Sequence, residues 1–170
     1  MSSVRLTEAS YIVLGLLEQL GPSTPYDLKR IAQISTVNFW SVPHTQLYTE
    51  CARLAEEGLL SERREESGRR RRVYSLTKRG RLELERWRSE PSVELEEVRD
   101  TATLKLFLGG DPEKLAAAQL DAHRRQLRVY EGLKAELSDA PDGWRLALDV
   151  GIGHEREFIR FWSRLAPPDG

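Results

Sequence analysis

Apolar positions along the chain change period several times, and each change marks an element. Tyr11-Ile12-Val13-Leu14-Gly15-Leu16-Leu17 is apolar all round, which predicts a largely buried helix over about Thr7 to Leu20, ended by Gly21-Pro22. Thr24 then offers a side-chain N-cap. Pro25 suits the first helical position and Asp27 stands in the favourable field of the helix start, so a second helix is expected over Pro25 to Ile34. A third begins near Val42 or Pro43, where Leu47, Cys51, Leu54 and Ala55 share one face and Glu56-Glu57-Gly58 supplies the stop. Leu59 to Glu65 and Arg70 to Leu76 follow as extended segments around Glu66-Ser67-Gly68, a turn in which Gly68 tolerates positive φ. Thr77 caps the next helix, Lys78 to Arg88, whose Leu82, Leu84 and Trp87 are expected to tie the hairpin to the body.

Ser89-Glu90-Pro91-Ser92 is a polar break whose proline disfavours helix in the residue before it, so a domain boundary is placed there, between residues 1–88 and 92–170. Beyond it the pattern predicts three helices, about Glu94 to Leu108, Pro112 to Ser138 and Asp142 to Leu165. The middle one carries Ala116, Leu120, His123, Leu127, Tyr130 and Leu137 as a stripe, interrupted by Lys134, over about 40 Å. The last adds Leu146, Val150, Phe158, Ile159, Phe161, Trp162 and Leu165, more apolar surface than an isolated three-helix arm buries. Two-fold dimerisation through this region is the expected solution.

Charge sharpens the reading. The formal net charge is -1, yet residues 1–90 hold 15 Lys+Arg against 12 Asp+Glu and the remainder 11 against 15. The basic excess lies in the half with the hairpin, where Arg69 to Arg72 are consecutive. A helix followed at once by a basic hairpin is the layout of a winged helix-turn-helix, so the fold class is mainly α with a small β-wing, plus a C-terminal α-helical dimerisation domain. Because the major groove admits an α-helix that reads base edges with its N-terminal side chains, the third helix is the candidate reader. Ser41, His44, Thr45 and Gln46 stand near its start, with Gln46 suited to a bidentate contact with adenine, and Ser41 also able to act only as a cap. Tyr48 serves either a phosphate or the core. Arg69, Arg70, Arg71 and Arg72 are candidate phosphate or minor-groove contacts, with strand alternation sending two to each face. Arg63 and Arg64 stand apart from that set, since Glu62, Glu65 and Glu66 are placed to pair with them.

Other chemistries find little support. With 39% hydrophobic and 31% charged residues the chain reads as a globular protein of the cytoplasm, without an apolar run of membrane-spanning length or a signal-peptide order at its start. The one cysteine, Cys51, excludes an internal disulfide and reads as a small core residue. His44, His123 and His154 are far apart, which does not suggest a metal centre, and no nucleophile-base pair or phosphate-cradling loop points to an enzyme or a cofactor. A winged-helix module that binds protein without DNA is the alternative.

The chain resembles the PadR-like winged-helix transcriptional regulators, in the longer subgroup with a C-terminal helical dimerisation region. The resemblance rests on Trp40, Gln46-Leu47-Tyr48, Leu54 and Glu57-Gly58-Leu59-Leu60, then Val73-Tyr74-Ser75-Leu76-Thr77, Gly80 and Trp87. A weaker echo lies in Leu104-Lys105-Leu106-Phe107-Leu108 and in Gly151, Glu155, Phe161 and Trp162. Cys51 departs from it, standing where the family usually has leucine, and Trp144-Arg145 matches no firm family pattern. The resemblance implies a homodimeric repressor on a roughly palindromic double-stranded operator, with a small-molecule effector site near the dimer interface. Tyr130, Trp144, Phe158 and Trp162 are the candidate effector residues, against the plainer reading that aromatic residues at helical spacing form core.

Overall fold

The computed structural model describes residues 5–36, 40–65, 70–92, 99–137 and 139–167. The chain forms two compact units, residues 1–94 and 95–170. The first runs α1 (Glu8–Leu20), α2 (Pro25–Ala32), α3 (His44–Glu56), β1 (Leu60–Arg64), β2 (Arg72–Leu76) and α4 (Lys78–Ser89). The second contains α5 (Thr101–Phe107), α6 (Pro112–Glu136) and α7 (Asp142–Ser163).

In the first unit α1 is the central element. Its Val13, Leu14 and Leu17 are buried, as are Leu28 of α2, Leu47, Cys51 and Leu54 of α3, and Leu84 of α4. At about 1.5–3 kcal/mol for each large side chain, this burial holds the four helices together. The start of α2 is fixed locally: the Thr24 N–H and hydroxyl both donate to the Asp27 carboxylate, at 3.1 and 2.7 Å, and the Asp27 N–H donates to Thr24 Oγ1 at 3.3 Å. The bond from the Thr24 hydroxyl holds the Asp27 carboxyl below its ordinary pKa. α2 ends at Ala32, two residues before the predicted Ile34.

β1 and β2 pair antiparallel, from Leu60 opposite Leu76 to Arg64 opposite Arg72. The outer edge of β2 is also used. Ser23 N–H donates to Tyr74 O at 3.0 Å and Tyr74 N–H to Ser23 O at 2.9 Å, which pins the hairpin to the α1–α2 connection. The turn expected around Gly68 lies outside the described residues. At the base of the hairpin Thr77 Oγ1 accepts the Gly80 N–H at 3.1 Å, capping α4, and lies 2.9 Å from the Leu59 carbonyl. Only glycine fits at position 80, since a Cβ there would sit 2.3 Å from Leu59 O.

Of the three residues expected to tie α4 to the body, Leu84 is buried, whereas Leu82 is 57% exposed. Two positions on a helix are about 200° apart, so both cannot face α1. Trp87 keeps 45% exposure but stacks flat on Tyr11 of α1, with centroids 4.3 Å apart, and Arg88 reaches Glu18 at 2.8 Å.

In the second unit α6 and α7 pack along their lengths. The stripe on α6 finds its partner within the chain: Ala116 and Leu120 enter a core with Ala102 of α5 and Trp162 of α7. Tyr130 lies over Gly151, where a Cβ would come within 3.1 Å of the ring. Apolar surface remains outside, at Leu104, Phe107, Leu108, Val129, Leu146 and Val150. The predicted start at Glu94 lies outside the described residues; α5 begins at Thr101, after the non-helical Arg99 and Asp100. The Asp100 carboxylate sets that start by accepting the N–H of Ala102 at 2.9 Å and of Thr103 at 3.0 Å.

Candidate nucleic-acid interface

α3 turns one face inward and the other out. Leu47, Glu50, Cys51 and Leu54 are buried, which leaves His44, Thr45, Gln46 and Tyr48 exposed on the first turns, with Ser41 exposed just before them. Pro43, with no N–H to leave unpaired, is the N-cap, and its carbonyl accepts the N–H of Gln46 at 3.0 Å. Ser41 therefore does not cap the helix, and its hydroxyl stays on the surface. Tyr48 is 47% exposed, so its ring is outside the core. His44 has a neighbour that the sequence did not suggest: its Nε2 lies 3.4 Å from the side-chain nitrogen of Gln33, past the end of α2. With the imidazole proton on Nδ1, the Gln33 amide donates to Nε2 and the Nδ1–H remains available to an outside acceptor.

Behind this surface lies a polar cluster in an otherwise apolar contact. Ser10 of α1 donates its hydroxyl to Glu50 Oε1 at 2.5 Å, and Arg53 Nη2 donates to the same oxygen at 2.5 Å and to Ser10 Oγ at 3.1 Å. Arg53 Nε donates to Glu50 Oε2 at 3.1 Å. Burial alone would raise the pKa of Glu50, but the bonds from Arg53 and Ser10 outweigh it and hold the carboxyl below its ordinary range. Cys51, next along, is pushed up to about 12 by burial and then by Glu50, and is inert as a nucleophile.

On the hairpin, Glu62 is the hub of one face. Arg64 and Arg72 approach its carboxylate at 3.6 and 3.5 Å, and the Tyr74 hydroxyl donates to it at 3.2 Å. Arg71 pairs with Glu65 at 3.0 Å. Of the expected partners of Arg63 and Arg64, Glu62 does pair with Arg64, Glu65 takes Arg71 instead, and Glu66 lies outside the described residues; among the described residues Arg63 has no ion pair. Arg70 is exposed at φ 47°, a left-handed conformation that re-aims the chain into β2. Arg69 lies outside the described residues. These pairs are solvent-exposed and contribute little to stability, so a polyanion can compete for the arginines.

The four candidate effector residues are not gathered into one pocket. Trp144 and Trp162 lie on the same face of α7 but about 27 Å apart along its axis. Trp162 is fully buried, its indole N–H without a partner among the described residues. Phe158 packs on that core and stacks on His123 at 4.7 Å, while Tyr130 is buried over Gly151. His123 Nδ1 lies 2.6 Å from Glu155 Oε2, joining α6 to α7. Among the described residues no three His, Cys, Asp or Glu side chains form a group able to hold a metal, and no described helix is long and apolar enough to cross a membrane.

A helical core carrying an exposed polar helix start and, in the same compact unit, a two-stranded arginine-bearing hairpin defines a winged helix-turn-helix protein. Residues 13–86 match the transcriptional regulator PadR-like family, and residues 98–166 match the C-terminal region described as virulence activator alpha C-term. Over 165 residues the chain is 30% identical to the negative transcriptional regulator PadR of Bacillus subtilis, covering 88% of this chain and 90% of that one. The chain belongs to the PadR-like family of transcriptional regulators. Its structure is similar to the crystal structure of Bacillus subtilis PadR in complex with operator DNA, with a TM-score of 0.81 and 26% identity over 92% of this chain and 95% of that one. It is also similar to that protein's complex with p-coumaric acid, with a TM-score of 0.80 and 24% identity over 95% and 96%.

Proposed function

We propose that this chain is a homodimeric transcriptional repressor of the cytoplasm, without enzymatic activity. Two copies of α3 read successive major grooves of a roughly palindromic operator, and a small molecule modulates that binding. The observation that carries the reading is the exposure of His44, Thr45 and Gln46 on the first turn of α3, in the same compact unit as the arginine hairpin. Gln46 and His44 read base edges and Ser41 and Thr45 add short polar contacts. Tyr48, Arg70, Arg71 and Arg72, with Arg69 beside them, engage the backbone. The apolar surface left by Leu146 and Val150 of α7 and Val129 of α6 supports association of two copies. The relative's complex with p-coumaric acid supports a small aromatic acid as the first effector to try.

Fluorescence anisotropy tests this, using DNA from upstream of the chain's own gene and a shuffled duplex, at low and near-physiological salt, with and without p-coumarate. Preference for the upstream DNA that weakens steeply with salt is the expected result. Absence of binding to either duplex at low salt refutes DNA recognition and turns the winged fold into a protein-binding surface.

A further inference from the structure

We propose that Glu50, held by Ser10 and Arg53, is the positioning residue that fixes the rotation of the reading helix about its own axis and so sets which bases it distinguishes. This rests on α3 being the DNA-reading element. α3 meets α1 through Leu47, Cys51 and Leu54, all buried, and apolar contacts of this kind carry no direction. They hold the helix in place yet leave it able to roll. Glu50 is 8% exposed on that same inward face, and its carboxylate takes the Ser10 hydroxyl at 2.5 Å and the Arg53 guanidinium on both oxygens. Such a buried ion is a poor means of gaining stability, because desolvation offsets most of the attraction, but its hydrogen bonds specify one geometry.

Ser10 is itself anchored: its Oγ accepts the Thr7 N–H at 2.8 Å, at the N-cap of α1. The chain of bonds therefore runs from the first turn of α1 into the second turn of α3, one turn after Gln46. Side-chain tips lie roughly 5–6 Å from a helix axis, so a roll of about 20° displaces them by about 2 Å. That shift exceeds the tolerance of a bidentate hydrogen bond to a base edge, whereas phosphate contacts from the hairpin arginines, being largely electrostatic, survive it. Loss of the cluster should thus erase discrimination while sparing general affinity for DNA.

The test uses the full-length chain and two duplexes at one salt concentration: one enriched by the wild-type chain from a random-sequence pool, and a shuffled version of it. Glu50→Gln, which keeps shape and removes the charge, and Ser10→Ala, which removes the anchor, are compared with Cys51→Ala, a core change on the same face of α3 outside the cluster. Thermal melts establish that each variant is folded. The expected result is a fall of about tenfold in affinity for the enriched duplex in both cluster variants, the loss of one base contact. Binding to the shuffled duplex stays unchanged, and Cys51→Ala keeps the wild-type ratio. The double variant Ser10→Ala, Glu50→Gln should lose no more than the worse single one. Folded cluster variants that retain the wild-type ratio of affinities overturn the proposal, as does an equal fall on both duplexes. A wild-type chain that enriches no sequence removes DNA reading itself, which separates that failure from this one. If Glu50→Gln does not fold, Ser10→Ala carries the same comparison.

Discussion

Replacing Gly80 by alanine should destabilise the first unit, against the usual rule for a glycine in a helix. The added methyl would stand 2.3 Å from Leu59 O and 2.8 Å from Leu76 Cδ1. The leucine side chain can turn away, but the carbonyl cannot, since it accepts the Thr77 N–H at 3.1 Å and lies 2.9 Å from Thr77 Oγ1. Relieving the overlap moves the base of the hairpin and loosens both bonds, at about 1 kcal/mol each. Overpacking adds roughly 1–3 kcal/mol, and improved helix propensity returns at most about 1 kcal/mol. The net is a loss of about 2–4 kcal/mol. Gly132, inside α6, has nothing within 4 Å of where a Cβ would stand and is the internal contrast. There the same change should stabilise by about 0.5–1 kcal/mol. Urea melts of the full chain, followed by circular dichroism at fixed temperature, measure both. A Gly80→Ala protein within 0.5 kcal/mol of wild type, a threshold near the ordinary noise of surface substitutions, would refute the claim that the hairpin and α4 are locked by that contact.

Three further outcomes follow from the same geometry. Arg70→Ala with Arg72→Ala should weaken binding to all DNA sequences alike and lower the slope of log affinity against log salt by about 2, measured by anisotropy titrations across salt concentrations. Gln46→Ala should cost about 1–3 kcal/mol on the preferred sequence and relax specificity at one base position, while Gln33→Ala, acting through His44, should change preference at a different one; selection from randomised duplexes reads both. Glu50, Asp27 and Asp100 have folded pKa values held below their ordinary values of 4.5, 3.8 and 3.8, so the stability they contribute is complete above about pH 5 and is lost as pH falls through the folded values. Thermal melts at pH 7 and pH 4 should therefore show a fall in Tm that is smaller in Glu50→Gln.

Where the local chemistry was self-contained, the sequence could be read directly. Thr24-Pro25-Asp27 and Thr77 mark helix starts because the cap and its partner lie within three residues, and the structure closes those bonds as expected. Periodicity told which residues share a helix face but not their height against a neighbour. Trp144 and Trp162, 18 residues apart on α7, share a face for that reason and still stand about 27 Å apart within one chain. Contacts between distant segments were out of reach: Gln33 beside His44 depends on how the α2–α3 connection returns. Glu50 did carry a signal, as an acid on the face defined by Leu47, Cys51 and Leu54, and Ser10 beside an apolar run was its counterpart. Neither means anything until α1 and α3 are brought side by side.

The placement of the tryptophans gives the molecule its own optical labels. Trp40 is half exposed just before α3, Trp87 is stacked on Tyr11, Trp144 is half-buried at the start of α7, and Trp162 is sealed in the core of the second unit. Indole emission moves to longer wavelength as its surroundings become more polar, so Trp162 is the blue emitter and Trp40 the red one. With phenylalanine at the other three positions, each would report separately: quenching at Trp40 when a duplex arrives, a red shift at Trp162 when the C-terminal core opens. With Trp87 reporting the loss of its stack on Tyr11, the order in which the two units unfold can then be followed in the light they emit, without attaching a dye.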